Sequence, residues 1–406
     1  MIKGYEELDQ SNCTIHRLQR SVGKYTKNSM IDRVLAKGRA SVGYFNSSTI
    51  GNADLMKCCA MVNLPQTSLK QDMPVRWGTT YDMCDSIREK MQPLLLYDVA
   101  HGGQKAAKSY ATNRYSTEEF SVNNQTVAVL HAAKAVTVLL QADEYPTSNM
   151  ALPCLYGVIA ATEATADVKL PWAPTQVILA EDLRPEVAIA REEMNADLKE
   201  IWIEKLDEHE LEFMLVCVLC DPCKKAMVFP LVTPELRTKA RTMFIREYDM
   251  HWAPVDDTAE FIQGEVEAAP QEEEAPVGES VELAPLNVSS FSDFMSSLSH
   301  VTPALPAPPA VVRPQRKSQA EKYLQLEAPP PHTDLLVWWG QNEDEFPDLA
   351  RMAAQFLGCP ASSASAERIF SLAGRLYDNL TCNMSDGKLE ERMWAKLNRG
   401  KRKREQ

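Results

Sequence analysis

Cys217, Cys220 and Cys223 stand at C-x-x-C spacing twice over, in the run CVLCDPC. Thiolates so spaced could hold zinc, but a structural zinc takes four tetrahedral ligands. A second half is missing: the next histidine is His251, and no C-x-x-C with a trailing pair of histidines occurs elsewhere. The three are therefore read as core thiols, and no metal or cofactor is expected. Cys13 and His16 form a smaller pair that is also short of a full ligand set, so a local packing role is expected. Trp77 by itself reads as a core indole beside Tyr81. Lys401, Arg402, Lys403 and Arg404, in the tail RGKRKREQ, suit a nuclear import signal or a phosphate contact. A solvated C-terminus explains that tail equally well.

Helices must position these groups. Thr117 can cap a helix whose Val127, Leu130, Ala133, Val136 and Leu140 share one face. Pro185 suits a first helical turn, followed by Val187, Ala190, Met194, Leu198 and Ile201 at steps of three and four. Thr233 and Pro234 open another helix, and Phe213–Leu219 reads as a buried strand or helix. After residue 317, Ser318 and Glu321 have capping-box spacing, and Thr333 can cap a helix carrying Trp338 and Trp339. Pro347 starts a helix that Gly358 stops, and Leu389, Met393 and Leu397 form an i, i+4 stripe. These late helices carry more apolar face than so short a region covers by itself. Either a partner or residues 1–250 must cover it.

The chain of 406 residues carries a net charge of -13, but the charge is uneven. Ala253 to Val312 holds eleven acids, eight prolines and no Lys or Arg, so the remainder is near -2. The acidity therefore belongs to one segment and does not make the whole fold repel nucleic acid. That segment has few groups able to pack, and it reads as a disordered acidic Pro-rich linker over 253–317. Met1 to Asn12 is polar, unlike a signal peptide. No apolar run reaches the roughly 18 residues of a membrane helix, so no membrane partner is expected. The scattered cysteines fit a reducing compartment.

The stretch LVWWGQNEDEFPDLARMAAQFLGCPASSASAERIFSLAG resembles the C-terminal dimerisation region of hAT-superfamily transposases and their BED-finger relatives. Trp338, Trp339, Phe346, Pro347, Leu349, Ala350, Pro360, Ser363, Glu367, Arg368, Phe370, Ser371, Ala373 and Gly374 all match that pattern. Upstream, Cys13 and His16 resemble the family's C-x-x-H. Arg76, Trp77, Thr80, Tyr81 and Met83 resemble its R-W segment, and the resemblance implies that Arg76 and Trp77 contact nucleic acid, the indole stacking on an extruded base. Glu144–Pro153 and Leu219–Pro230 resemble its Y-P-T and L-D-P-x-x-K segments.

The resemblance implies a mainly α protein. Residues 1–252 would be the helical insertion, and 318–398 the dimerisation region that ends an incomplete RNase H-like core. Residues 399–406 form the basic tail. Members cut DNA with two Asp and one Glu, because two metals must be held close together. Glu367 matches the Glu. Both Asp residues precede the C-x-x-H in the family, and the twelve residues before Cys13 hold Asp9 without a T-D-x-G-x-N context. The expectation is a nuclear, catalytically inactive protein that pairs with itself or with related hAT-derived proteins, with weak DNA binding at most. Trp338, Trp339, Leu349, Phe356, Ile369, Phe370, Leu376 and Leu389 are the expected interface. Alternatives are a truncated form of a DNA-cutting transposase and a dimerising inhibitor of a full-length relative.

Overall fold

The computed structural model describes residues 13–73, 76–101, 108–225, 234–254, 318–330, 333–376 and 385–398. Asp9, nearly all of the 253–317 linker and the 399–406 tail lie outside them. The only sheet among the described residues is an antiparallel hairpin, β1 (Val168–Leu170) with β2 (Ala173–Ile178). Everything else that is regular is helical, in agreement with the mainly α expectation.

The centre is α7 (Thr117–Leu140), with buried residues on nearly every side. Such a helix must be enclosed. It is wrapped by α1 (Thr14–Lys27), α2 (Ser29–Ser47), α4 (Trp77–Glu89), α8 (Ser148–Ala161) and α9 (Pro185–Lys199). Its N-cap is Ser116 rather than Thr117. Ser116 accepts from the Glu119 amide while Glu119 accepts from the Ser116 amide, a full capping box. The helices α3 (Thr49–Met61), α5 (Met91–His101) and α6 (Lys108–Asn113) complete this end.

Beyond α9 the chain makes a π turn at Glu200–Glu204 that drives Trp202 into the core. Arg17 lies over that indole at 5.1 Å and pairs with Glu210 at 2.9 Å. The run Phe213–Leu219 is helix, within α10 (Glu208–Leu219), and α11 (Pro234–His251) packs against it. Periodicity alone could not separate helix from strand in so short an apolar run.

The two halves of the C-terminal region are buried differently. Residues 318–361 dock onto the body through α12 (Gln319–Gln325), α13 (Leu335–Asn342) and α14 (Pro347–Leu357). The N-cap of α13 is Asp334, not Thr333; its carboxylate accepts from two first-turn amides. A helix leaves its last carbonyls without intrahelical donors. At the end of α10, the Tyr323 hydroxyl donates to Leu219 O at 2.9 Å. The Trp339 indole donates to Cys220 O at 3.0 Å. In return, Lys225 Nζ donates to Tyr323 O at 2.7 Å, at the end of α12. The Tyr323 ring sits among Phe244, Trp338, Trp339 and Phe346.

The two remaining helices, α15 (Ala364–Leu376) and α16 (Asp386–Asn398), pack on each other. None of their described residues joins the continuous hydrophobic core, which ends at Ala361. Within residues 318–398 the burial therefore changes near residue 361. The first half buries large apolar faces against α8, α10 and α11, and the second half does not.

Candidate functional site

The start of α1 and the start of α15 meet. The Thr14 amide donates to Ala361 O at 3.3 Å, and the Ser363 amide reaches Cys13 Sγ at 3.4 Å. One turn further, Ser363 Oγ donates to Glu367 Oε1 at 2.7 Å. His16 Nε2 lies 3.5 Å from the same oxygen. The C-x-x-H pair and Glu367, at opposite ends of the sequence, are thus neighbours. Their spacing gives the reason: residues 13 and 16 face one way over the first turn of α1, and 363 and 367 do so over the first turn of α15.

The base of α15 is pinned further by Arg368, which donates to Gln141 O at 2.7 Å and to Asp143 at 2.6 Å. Ser365 also donates to Asp143. The Ser365 hydroxyl, and then Arg368, hold the Asp143 carboxyl below its ordinary value. Asp143 was not singled out from the sequence. The neighbouring Y-P-T segment was the available signal: Thr147 Oγ1 accepts the Ala361 amide at 2.9 Å.

Glu367 and His16 are both more than half exposed, so water screens their attraction. One carboxylate beside one imidazole can relay a proton or touch a single cation. Among the described residues no group of three His, Cys, Asp or Glu could hold a metal ion.

The other candidates lie apart. Arg76 is exposed just before α4, whereas Trp77 is only 7% exposed and packs in the core. That placement corrects the base-stacking expectation, because a core indole has no open face for a base. Tyr81 bonds His131 Nδ1 at 2.9 Å, and Thr80 donates to Asp72 at 3.2 Å, so the R-W segment braces α4. Cys217 and Cys220 are buried, and burial raises both thiols well above their ordinary values. Burial raises the Cys223 thiol too.

The D-P-x-x-K segment has a structural task that was not read from the sequence. Asp221 is buried and accepts from Asn149 at 2.6 Å, from the amides of Cys223 and Lys224, and from the Lys224 ammonium. It holds the turn that presents Lys225 to Tyr323.

The expected interface divides along the same line as the region. Trp339, Leu349 and Phe356 are buried inside this chain, and Trp338 is half-buried against its core. This is a correction: the face of α14 is taken up by α8 and α10, where Phe356 O accepts from Ser148 at 3.0 Å. Leu376 and Leu389 are half-buried within the α15–α16 pair. Ile369 and Phe370 are exposed, Phe370 by 73%.

The fold is a helical body with a docked C-terminal region, and Glu367 lies where the two meet. Comparison with known families agrees: residues 12–122 match the ZBED1 RNase-like helical domain, and residues 319–398 match the hAT family C-terminal dimerisation region. A search of curated proteins found no match. Both matched regions are those of hAT-family transposase-derived proteins, the second being their dimerisation region.

Proposed function

We propose that residues 1–406 act in the nucleus as a dimerising scaffold that does not itself cut or join DNA. The observation that carries this reading is the setting of Glu367. Two-metal phosphoryl transfer needs several carboxylates converging on the ions. Among the described residues, Glu367 instead accepts the Ser363 hydroxyl and has His16 beside it. The dimerisation-region match supports pairing with a second copy or a related protein. The basic tail, Lys401 to Arg404, supports nuclear import. Arg76 supports no more than weak phosphate contact.

Purified 1–406 with supercoiled plasmid and magnesium should nick no faster than its Glu367→Gln variant. Nicking that disappears in Glu367→Gln overturns the inactive reading. Light scattering should give twice the chain mass, and a monomer at high concentration overturns the dimerising reading. The tail fused to a reporter should direct it to the nucleus; a reporter left in the cytoplasm removes that part.

A further inference from the structure

We propose that the contact between copies is made by α15 and α16 alone, two such hairpins packing as an antiparallel four-helix bundle around Ile369 and Phe370. This rests on the dimerising reading above and names its surface. The matched region 319–398 contains two kinds of helix. The large side chains of α12 to α14, Tyr323, Trp339, Leu349 and Phe356, are buried against their own chain. They cannot cover a second copy without leaving α10.

The hairpin is different. Each of its helices has 13 residues, so each is about 20 Å long. Ile369, Leu372, Ala373 and Leu376 recur at i, i+3, i+4 and i+7 on α15, yet Leu372 is its one buried residue. Phe370 widens that face by one position and is 73% exposed; Ile369 is 39% exposed, and Trp394 on α16 is 63% exposed. Two short helices can cover each other on one side only, and the remaining face needs a second pair.

Charge selects the occupant. Glu367 and Arg368 at the base of α15 are already engaged within the chain, but α16 carries Asp386, Glu390 and Glu391 mixed with Lys388, Arg392 and Lys396. A polyanion such as nucleic acid would meet acids among the bases. A second copy turned about a two-fold axis sets the acids of one hairpin against the bases of the other, because each copy presents the same patch.

Sedimentation and light scattering of full-length 1–406 test this, with Phe370→Glu, the Ile369→Glu/Phe370→Glu pair, and Leu336→Glu. Leu336 is a comparably exposed apolar residue on α13, outside the bundle. Because these side chains are exposed, the variants should keep the wild-type circular dichroism, while loss of the partner lowers the melting temperature. Wild type and Leu336→Glu should be dimers, and the α15 variants should associate at least about tenfold more weakly. A dimer that survives both α15 variants, or that Leu336→Glu dissociates instead, overturns the hairpin proposal while leaving the dimerising reading intact. A wild-type monomer removes both.

Discussion

The indole N–H of Trp339 donates to the carbonyl of Cys220 across 119 residues of sequence. With Tyr323 on Leu219 O, it closes the end of α10 using side chains from the other side of the linker. Helix ends are normally closed by local residues or water. Here they are closed by the C-terminal region, so docking that region and completing α10 are one event.

Trp339→Phe keeps most of the ring but leaves a buried carbonyl without its donor. The expected loss is about 1–3 kcal/mol of unfolding free energy. Trp339→Ala adds a cavity and should cost about 3–5 kcal/mol. Urea titration followed by circular dichroism measures both. A Trp339→Phe midpoint equal to wild type would contradict the capping role.

Asp221→Ala removes the acceptor shared by Asn149, Lys224 and two amides. Breaking a buried charged pair from one side costs about 3–5 kcal/mol. The turn that presents Lys225 should loosen with it, seen as faster proteolysis between residues 318 and 357. If Asp221→Ala unfolds at the wild-type urea midpoint, the hub assignment is wrong.

Burial, and behind it the Arg241 charge, lowers the Lys225 ammonium from 10.5 to about 8. Below about pH 8 the lysine is charged in both folded and unfolded chains, and its desolvation is a constant penalty. Between about 8 and 10.5 the unfolded chain holds the proton that the folded chain has released. This group therefore makes stability rise with pH across that window. The free-energy difference between wild type and Lys225→Met should shift toward wild type over the same interval. A flat or falling difference in denaturant titrations would refute it.

Thiol burial sets a labelling pattern. Among the described cysteines, Cys13, Cys223 and Cys359 are half-buried and the others are buried. A maleimide applied to native protein should modify those three before Cys58, Cys59, Cys84, Cys154, Cys217 and Cys220, as read by peptide mass spectrometry. Early labelling of Cys217 or Cys220 would mean that the end of α10 is open.

Much of the helical map was legible because apolar spacing and caps are local. The Ser318–Glu321 capping box and the Pro347 start appear where the sequence indicated. The cap assignments at Thr117 and Thr333 slipped by one residue, since a neighbouring Ser116 or Asp334 offers the same oxygen one position earlier. The site was only partly legible. Cys13, His16 and Glu367 could each be named from motifs, but their meeting could not, because no local signal joins positions 350 residues apart.

Residue spacing alone determined that the chain is helical and that its C-terminal helices carry apolar faces in search of cover. Which faces turn inward was decided only in three dimensions. Leu349 and Phe356 went to α8 and α10, and Phe370 stayed in solvent. The physical reason is that helical periodicity specifies which side of a helix avoids water. What lies against that side depends on volume, reach and unsatisfied polar groups contributed by distant residues such as Cys220 and Asp221.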